Sequence, residues 1–461
     1  MKNYMKTMAF VCVLSIGVAF PVLAADTASS TIAGDTGPVA EGAGMPPNGP
    51  MDQMPPGGFN PPDHITQGTA ANTITKNTLV QNETYTSTEN DENALRITGA
   101  SAVLTGVTVH KTSGTSSNTE GGDFYGMNAA ILVTDGASLQ IEDSIVTSST
   151  ANGNGLFSYG NGTTVEAKNV TITTTGRNSG GIQTTGGATT IAHNLMVTTS
   201  GDSSASIQSD RGGGTVQVTG GTFKTVGYGS PAIYSTANIS VNGAKLMATH
   251  SEGAVIEGKN SITLKNCDLE GSMANVRTMG NQKINEENVH TIMIYQSMSG
   301  DAEQGQSCFT MKGGSLRSHR GDVIYVTNTD CQIHLENVDI ENLDSQGALL
   351  RITGNSASRG WGQQGANGGT AVMTTKQQQL NGDIVVDSIS RLDYTMEKGT
   401  TFTGAMTEEM NTKGTRSDNG VHLIIEKGAT WNLTGDSTVT TLENHGKINT
   451  NGHTLTVLNN K

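Results

Sequence analysis

Asp210 and Arg211, which stand directly before three glycines, are the charged pair in this chain whose residue types best suit catalysis. A polysaccharide lyase needs a basic residue that removes a proton from the sugar, together with carboxylates that bind Ca²⁺. The pair supplies one side chain of each charge, but no stack of carboxylates stands one repeat away from it. The sequence therefore favours the plainer interpretation, which is a charged turn beside the glycines.

Glycoside hydrolysis would instead need two carboxyl groups, one as general acid and one as base. Pectin hydrolases of the β-helix fold carry such groups in short motifs, and Asn328-Thr329-Asp330 resembles the first of these. The companion Asp-Asp pair is missing from the whole sequence, as are the Gly-His-Gly and Arg-Ile-Lys motifs. One tripeptide in a chain rich in Asn and Thr carries little weight, so we assign no catalytic residue.

Aromatic side chains in turns and insertions suit carbohydrate binding, because their faces stack on sugar rings. Tyr125, Tyr228, Tyr234 and Trp361 stand in such positions, with local packing as the alternative interpretation for each of them. The predicted ligand-binding set combines these aromatic candidates with charged ones: Asp123, Phe124, Tyr125, Asp210, Arg211, Tyr228 and Trp361. The sequence predicts neither a metal site nor a cofactor.

A repeat that runs through most of the chain must position these candidates. Gly, Asn or Asp recurs at steps of about 25 residues or a multiple of that number. These residue types adopt a left-handed backbone most easily. This turn column comprises Gly106, Asp143, Asn169, Asn194, Gly220, Gly243, Asn266, Gly313 and Asn337. Apolar residues alternate on both sides of each member, which predicts two short strands that meet at a corner.

A second register places a small residue before an apolar one at the same spacing, as at Ile131, Ile182 and Ile233. Each coil then carries three short strands. The sequence predicts an all-β fold, a right-handed parallel β-helix with three faces and coils of about 25 residues. Residues 73–352 form this β-helix, and residues 381–461 continue it with shorter strands. The facing of the strand near these isoleucines stays open.

Three segments interrupt the repeat: 112–128, 270–308 and 353–380, the last of which is rich in Gly and Gln. Long excursions from a solenoid tend to lie on one side of it and commonly carry its binding site. We therefore expect the edge that bears 112–128 and 353–380 to bind the ligand.

The beginning of the chain predicts export. Residues 1–24 have the pattern of a secretory signal peptide, with two lysines before an apolar stretch and a small-residue cleavage site. Residues 25–72 hold eight of the ten prolines and predict a disordered leader rich in Pro, Gly and Met. The expected location is secreted, cell-surface or periplasmic.

Charge and hydropathy narrow the possible partners. The formal net charge is −14, with 27 basic residues against 41 acidic ones. Such a chain is a poor partner for nucleic acid or an anionic membrane. No second apolar segment predicts a membrane span. The expected partner is an extracellular glycan or a host or matrix polymer, and the oligomeric state stays open.

The cysteines of the mature chain fall into two kinds. Cys267 directly follows a turn residue, which predicts a buried core thiol. Cys308 and Cys331 stand five and six residues before turn residues on neighbouring coils. Such positions can come within bridging distance, and an exported protein permits oxidation. Both a Cys308–Cys331 disulfide and a pair of unbonded thiols stay open.

The C-terminal stretch resembles the end of pertactin-like autotransporter passengers. There a Trp-x-Leu-Thr-Gly-x-Ser segment precedes a Leu-x-Asn-x-Gly-x-Ile step and a closing Leu-Thr-Val, which correspond here to 431–437, 442–448 and 455–457. The resemblance implies a β-helix and export. Those passengers continue into a membrane barrel that does not follow here, so the resemblance does not extend to self-translocation.

Three further tracts resemble secreted bacterial β-helix proteins that have no settled activity: 210–214, 229–234 and 384–389. We therefore expect an exported, non-catalytic β-helix protein that binds glycans or other extracellular polymers in the manner of an adhesin. The alternative is a polysaccharide lyase or glycoside hydrolase of the pectin-lyase-like fold. The missing catalytic motifs favour the first.

Overall fold

Every residue of the predicted turn column has a left-handed backbone in the computed structural model, which describes residues 65–279 and 282–459. The φ angles run from 50° at Asn266 to 70° at Gly243. Seven of the nine turns join two strands, as Asp143 joins Ser138–Glu142 to Ile145–Ser148, whereas Asn266 and Gly313 lie within the single long strands Ser261–Gly271 and Ser307–Ser318. The corner predicted from the spacing is confirmed.

Within the described residues, most strands belong to two large parallel sheets. Sheet A contains thirteen strands: Thr73–Ile74, Leu95–Thr98, Ile131–Thr134, Leu156–Tyr159, Ile182–Thr185, Ile207–Ser209, Ile233–Ser235, Ala254–Glu257, His290–Tyr295, Asp322–Thr327, Leu350–Ile352, Ile384–Asp387 and Met406–Glu409. Sheet B contains twenty-two strands, among them those on both sides of the turn column: Thr78–Gln81, Thr84–Ser87, Ser101–Thr105, Thr108–Lys111, Ser138–Glu142, Ile145–Ser148, Thr164–Lys168, Thr171–Thr174, Ala188–His193, Met196–Thr199, Gly214–Thr219, Thr222–Thr225, Asn238–Asn242, Lys245–Ala248, Ser261–Gly271, Ser307–Ser318, Asp330–Glu336, Asp339–Asn342, Thr370–Lys376, Arg391–Met396, Gly420–Ile425 and Thr441–Asn444.

Smaller sheets complete the architecture. The C-terminal coils form two of them: Gln379–Asn381, Thr401–Thr403, Thr430–Asn432 and Lys447–Asn449 in one, and Ser437–Val439 with Leu455–Val457 in the other. A further parallel pair is Thr69–Ala70 with Glu92–Asn93, and an antiparallel hairpin joins Val276–Met279 to Gln282–Asn285. Parallel strands stacked coil on coil confirm the predicted parallel β-helix.

Equivalent residues of successive coils lie directly above one another. In sheet A, Ile131, Leu156, Ile182, Ile207 and Ile233 pair in register. None is more than 1% exposed, so this strand faces the interior, the point that the sequence left open. Coils repeat at about 4.8 Å, and buried apolar surface contributes about 25 cal/mol per Å². The core is therefore one continuous apolar stack.

Buried hydroxyl groups repeat at another corner. Three threonines each donate a hydrogen bond to the carbonyl oxygen of a serine five residues later, at 2.5 Å: Thr174 to Ser179, Thr199 to Ser204 and Thr225 to Ser230. All six residues are buried. Buried backbone carbonyls need such partners, so this ladder lets the coil turn sharply without exposing its core.

Cys267 is fully buried, and its thiol donates to the carbonyl oxygens of Val241 and Lys265 at 3.4 and 3.3 Å. Burial raises the pKa of this thiol above its ordinary value, although hydrogen bonds with the backbone of Ala244, Lys265 and Gly243 oppose the shift. The prediction of a core thiol after the turn is confirmed.

Cys308 and Cys331 form no disulfide with each other, because the thiol of Cys331 is free. Cys331 pairs in register with Ser307, whereas Cys308 pairs with Gln332. A one-residue offset sends two side chains to opposite faces of a sheet. Cys331 therefore lies in the core and Cys308 on the half-buried outer side.

The solenoid begins earlier than the sequence indicated. Strand Thr69–Ala70 pairs with Glu92–Asn93, and Arg96 Nη2 donates to the carbonyl oxygen of Thr69 at 3.0 Å. Residues 66–72, expected in the leader, are part of the first coil because they satisfy backbone groups that the next coil exposes. The predicted signal peptide, 1–24, and the rest of the leader, 25–64, lie outside the described residues.

Two of the three predicted interruptions are shorter than expected. Helix α1, Thr119–Tyr125, lies within 112–128. Strand His290–Tyr295 divides the second interruption, and strand Thr370–Lys376 ends the third. The excursions that the structure describes are therefore 112–128, 272–279 with 282–289, 296–306 and 353–369, and we call them the insertion segments.

The C-terminal coils close the core with aromatic residues. Trp431 is fully buried and stacks on Phe402, with ring centroids 6.1 Å apart. Its indole Nε1 donates to the carbonyl oxygen of Gly404 at 3.0 Å. A buried tryptophan needs such a partner, so this position is a structural one.

Replacing Ile172 with Asp should unfold several coils. The side chain is fully buried, and an unpaired carboxylate in this core would cost several kcal/mol. The neighbouring Thr171 faces outward, so Thr171→Asp should lower the melting temperature far less. Thermal unfolding by circular dichroism measures both, and equal tolerance would mean that the facing of sheet B is wrong.

Candidate functional site

Helix α1 has little intrinsic reason to be helical, because two of its seven residues are glycines. Asn118 caps its beginning by accepting a hydrogen bond from the Gly121 amide at 3.0 Å. Gly126 ends it with a left-handed backbone at φ 78°. The chain thus defines both ends of the helix, and packing must stabilise the rest.

That packing is against the outer surface of sheet A. Gln183 Nε2 donates to the carbonyl oxygen of Asp123 at 2.9 Å. Thr185 Oγ1 donates to the carbonyl oxygen of Phe124 at 2.7 Å. Both donors lie on the strand Ile182–Thr185, so α1 is anchored through its backbone and its side chains are free to form a site.

Arg211 connects three separate parts of the chain. Its Nε and Nη2 atoms donate to Asp301 Oδ1 at 3.0 and 2.7 Å. Its Nη1 lies 3.7 Å from Glu120 Oε2, and its guanidinium carbon lies 4.0 Å from the centre of the Phe124 ring. A coil turn, α1 and the segment 296–306 therefore meet at one side chain.

Besides Glu120, four carboxyl groups lie around this meeting point: Asp123, Asp210, Glu257 and Asp301. Burial raises the pKa of Asp210 well above its ordinary value, with the charges of the other three adding to the effect. Burial also raises the pKa of Asp123 to about 7, although a hydrogen bond from Asn152 opposes it. Residues that carry raised pKa values in a cluster suggest a functional site.

Glu257 is held by hydroxyl groups. It accepts hydrogen bonds from Tyr234 at 2.5 Å, from Tyr295 at 2.8 Å and from Ser297. Burial raises the pKa of Glu257, while these hydrogen bonds oppose the rise. Glu257 as a residue is only 2% exposed, so its carboxyl group forms part of the floor of the site.

Trp361 lies over this floor. Its ring meets that of Tyr295 edge to face, with centroids 5.1 Å apart, and Arg359 lies 4.6 Å from its centre. Arg359 also pairs with Glu286 at 3.4 Å, and Tyr228 donates its hydroxyl to Glu286 at 2.9 Å. The segments 282–289 and 353–369 are thereby tied to the same surface.

Two adjoining clefts continue the site along sheet A. Their volumes are about 410 Å³ and about 290 Å³, and both are lined by Glu287, Thr353 and Gly354. We call the surface formed by the insertion segments, the two clefts and the outer side of sheet A between them the insertion face.

The insertion face brings together most of the predicted ligand-binding residues. Asp123, Phe124, Asp210 and Arg211 form its carboxylate end, and Tyr228 and Trp361 meet through Glu286 and Arg359. The expectation that long excursions lie on one side agrees with this arrangement.

Tyr125 differs from the other candidates. It is 9% exposed, and its ring packs edge to face on Tyr159, with centroids 5.5 Å apart. This geometry is that of a packing residue under α1.

Sequence reasoning missed Glu257, Tyr295 and Asp301. Glu257 pairs in register with Tyr295. Because side chains alternate between the two faces of a strand and Ile256 faces the core, Glu257 faces outward. Asp301 lies 90 residues from Arg211 in the chain. No spacing rule predicts that contact, because it depends on the path of an irregular segment.

No family model, curated protein or solved structure matches the chain. Across residues 65–279 and 282–459, no helix has the length and apolar character that crossing a membrane requires. In the same part of the chain, no group of three or more His, Cys, Asp or Glu side chains is arranged to hold a metal ion.

Replacing Asp123 with Asn should change how stability depends on pH. The folded-state pKa of about 7 exceeds the ordinary value of 3.8, so the folded protein binds more protons between these limits and loses stability as the pH rises through them. The Asn variant lacks this titration. The melting temperature of the Asn variant, relative to that of the natural protein, should therefore rise as the pH increases from 4 to 8.

Differential scanning fluorimetry across this range measures the effect. Asp339→Asn, on the exposed side of sheet B, is the matched control and should keep the natural profile. A difference between the Asp123→Asn variant and the natural protein that does not vary with pH would contradict the account.

Proposed function

We propose that the protein binds an extracellular glycan along the insertion face without cleaving it. The observation that carries this proposal is the convergence of all the insertion segments on one side of the solenoid, where Arg211 joins α1 to the segment 296–306. If the excursions were spread at random around the solenoid, residues 90 positions apart in the chain, such as Arg211 and Asp301, would not be expected to contact each other.

The chemistry of this surface suits sugars. Trp361 is half-buried and is held by Tyr295 and Arg359, so little side-chain freedom is lost when a sugar ring stacks there. Carboxylates and tyrosine hydroxyls around it can accept hydrogen bonds from sugar hydroxyl groups. Aromatic faces with convergent polar groups are the usual composition of such sites.

The scaffold favours an extended ligand. Strands of sheet A pair in register along the whole surface, and the two clefts share three lining residues. A rigid surface of this kind orders a polymer at small cost to the protein. An adhesin-like role requires the protein to lie outside the cell, and this agrees with the export that the signal-peptide pattern predicts.

Glycoside hydrolysis is the second candidate, because one observation favours it. Asp210 combines a strongly raised pKa with three neighbouring carboxyl groups, as a general acid beside a base requires. The lyase alternative is weaker, since Arg211 is paired with Asp301 at 2.7 Å. A guanidinium held by a carboxylate stays charged and cannot remove a proton.

Trp361→Ala should weaken glycan binding by about tenfold, which corresponds to ~1.4 kcal/mol and is the scale of one aromatic contact. Trp361→Phe should recover part of the loss. A glycan array of the mature protein identifies the ligand, and isothermal titration calorimetry compares the variants. Met196→Ala, at an exposed apolar residue of sheet B, is the control. Unchanged affinity in Trp361→Ala would rule out this surface.

Asp210→Asn separates binding from hydrolysis. If the protein only binds, purified natural protein should release no reducing sugar or unsaturated product from plant and host polysaccharides. If it does release them and Asp210→Asn stops the release while binding persists, the hydrolase becomes the function. The asparagine keeps the size of the side chain, so loss of folding is not expected.

A further inference from the structure

Carboxylates outnumber basic side chains on the insertion face. The two clefts are lined by six acidic residues: Glu286, Glu287, Asp322, Asp344, Asp387 and Glu409. They contain two basic ones, Arg351 and Lys413. Backbone amides of Gly321 and Gln346 lower the pKa of Asp344, which keeps that group charged. The surface therefore presents negative potential to a ligand.

Three arginines of this face are already engaged by its own carboxylates. Arg351 donates to Asp322 at 2.7 Å and to Glu409 at 3.2 Å. Arg359 and Arg211 are likewise paired with carboxylates, Glu286 and Asp301. In the clefts, an anionic sugar can pair with Lys413 but not with Arg351 unless it displaces that arginine's carboxylates, and it would meet the remaining carboxylates on the way.

Two glutamine side chains near this face have an oxygen that accepts no hydrogen bond within the described residues. Gln183 is fully buried beneath α1, where its Nε2 donates to Asp123, yet its Oε1 has no hydrogen-bond partner within the described residues. Gln208, its neighbour in register, has an Oε1 in the same condition within that part of the chain. Both acceptors stand beside the carboxylate end of the face, where Asp210 follows two residues after Gln208. Because Gln183 lies beneath α1, the acceptor nearer the surface is that of the half-buried Gln208, and a ligand rich in donors would satisfy it.

We propose that the glycan bound by the insertion face carries protonated amino groups, as a deacetylated hexosamine polymer does. This inference rests on the proposed function and specifies its ligand class. Ammonium and hydroxyl groups supply donors to the carboxylates and to the Gln208 oxygen, and the positive charge matches the negative surface. Uronic acid and sulfated polymers carry the wrong charge.

The test compares three oligosaccharides of equal length by isothermal titration calorimetry at pH 6: glucosamine, N-acetylglucosamine and galacturonic acid oligomers. The glucosamine oligomer should bind at least tenfold more tightly than its acetylated counterpart. Its affinity should fall as salt rises from 0.05 to 0.5 M, by about the screening expected of surface charges.

Charge variants then locate the effect. The double variant Glu287→Gln with Glu409→Gln removes two exposed cleft carboxylates and keeps their size. It should bind the glucosamine oligomer about tenfold less tightly and leave the acetylated oligomer unaffected. Glu166→Gln with Glu341→Gln, on exposed positions of sheet B, is the matched control and should change neither.

The possible failures are distinguishable. Equal affinity for the amino and acetylated oligomers would overturn the charge inference and leave glycan binding intact. Tightest binding to galacturonic acid, with or without Ca²⁺, would overturn it as well. A natural protein that binds no glycan on an array or in the calorimeter would overturn the proposed function itself.

Discussion

The structure depends on a left-handed residue that recurs at one place in each coil. Asn169 and Asn194 show why the repeat stays in step: each occupies the left-handed turn and donates its side-chain amide to the turn residue one coil before, at 3.0 Å. Where neighbouring coils lie close together, as at Gly314, an added Cβ would lie 2.0 Å from the Cys267 carbonyl oxygen. Because a slip of one residue would turn every apolar side chain outward, this corner determines both the core and the outer surfaces.

The regular part of the molecule follows from the sequence because its signal is local. Turn residues such as Asn266 and inward residues such as Ile172 are recognisable from spacing alone, and the structure buries the second kind as expected. Cys308 and Cys331 mark the limit of this reasoning. Counting residues from the turns allowed the two cysteines to be neighbours, but the observed strand register places their side chains on opposite faces of the sheet. The contact between Arg211 and Asp301 lies beyond it, because it depends on how two irregular segments fold onto each other.

The insertion face works against the stability of the fold. Asp210 and Glu257 have raised pKa values chiefly because burial disfavours their charged forms, and each such group makes the folded state less favourable at neutral pH. The regular coils bury few such groups: their hydroxyls, as at Thr199, are satisfied within the coil, although burial also lowers the pKa of Lys111 to about 8. A concentration of buried carboxyl groups on one surface is the pattern expected where selection has acted on binding.

Hydrogen–deuterium exchange of the natural protein, with and without the glycan that binds it most tightly, tests the central claim most directly. Bound glycan should slow exchange in peptides that cover α1, 296–306 and 353–369, and exchange in sheet B should stay unchanged. Protection centred on sheet B, or on the turn column, would contradict the assignment of the insertion face as the binding surface.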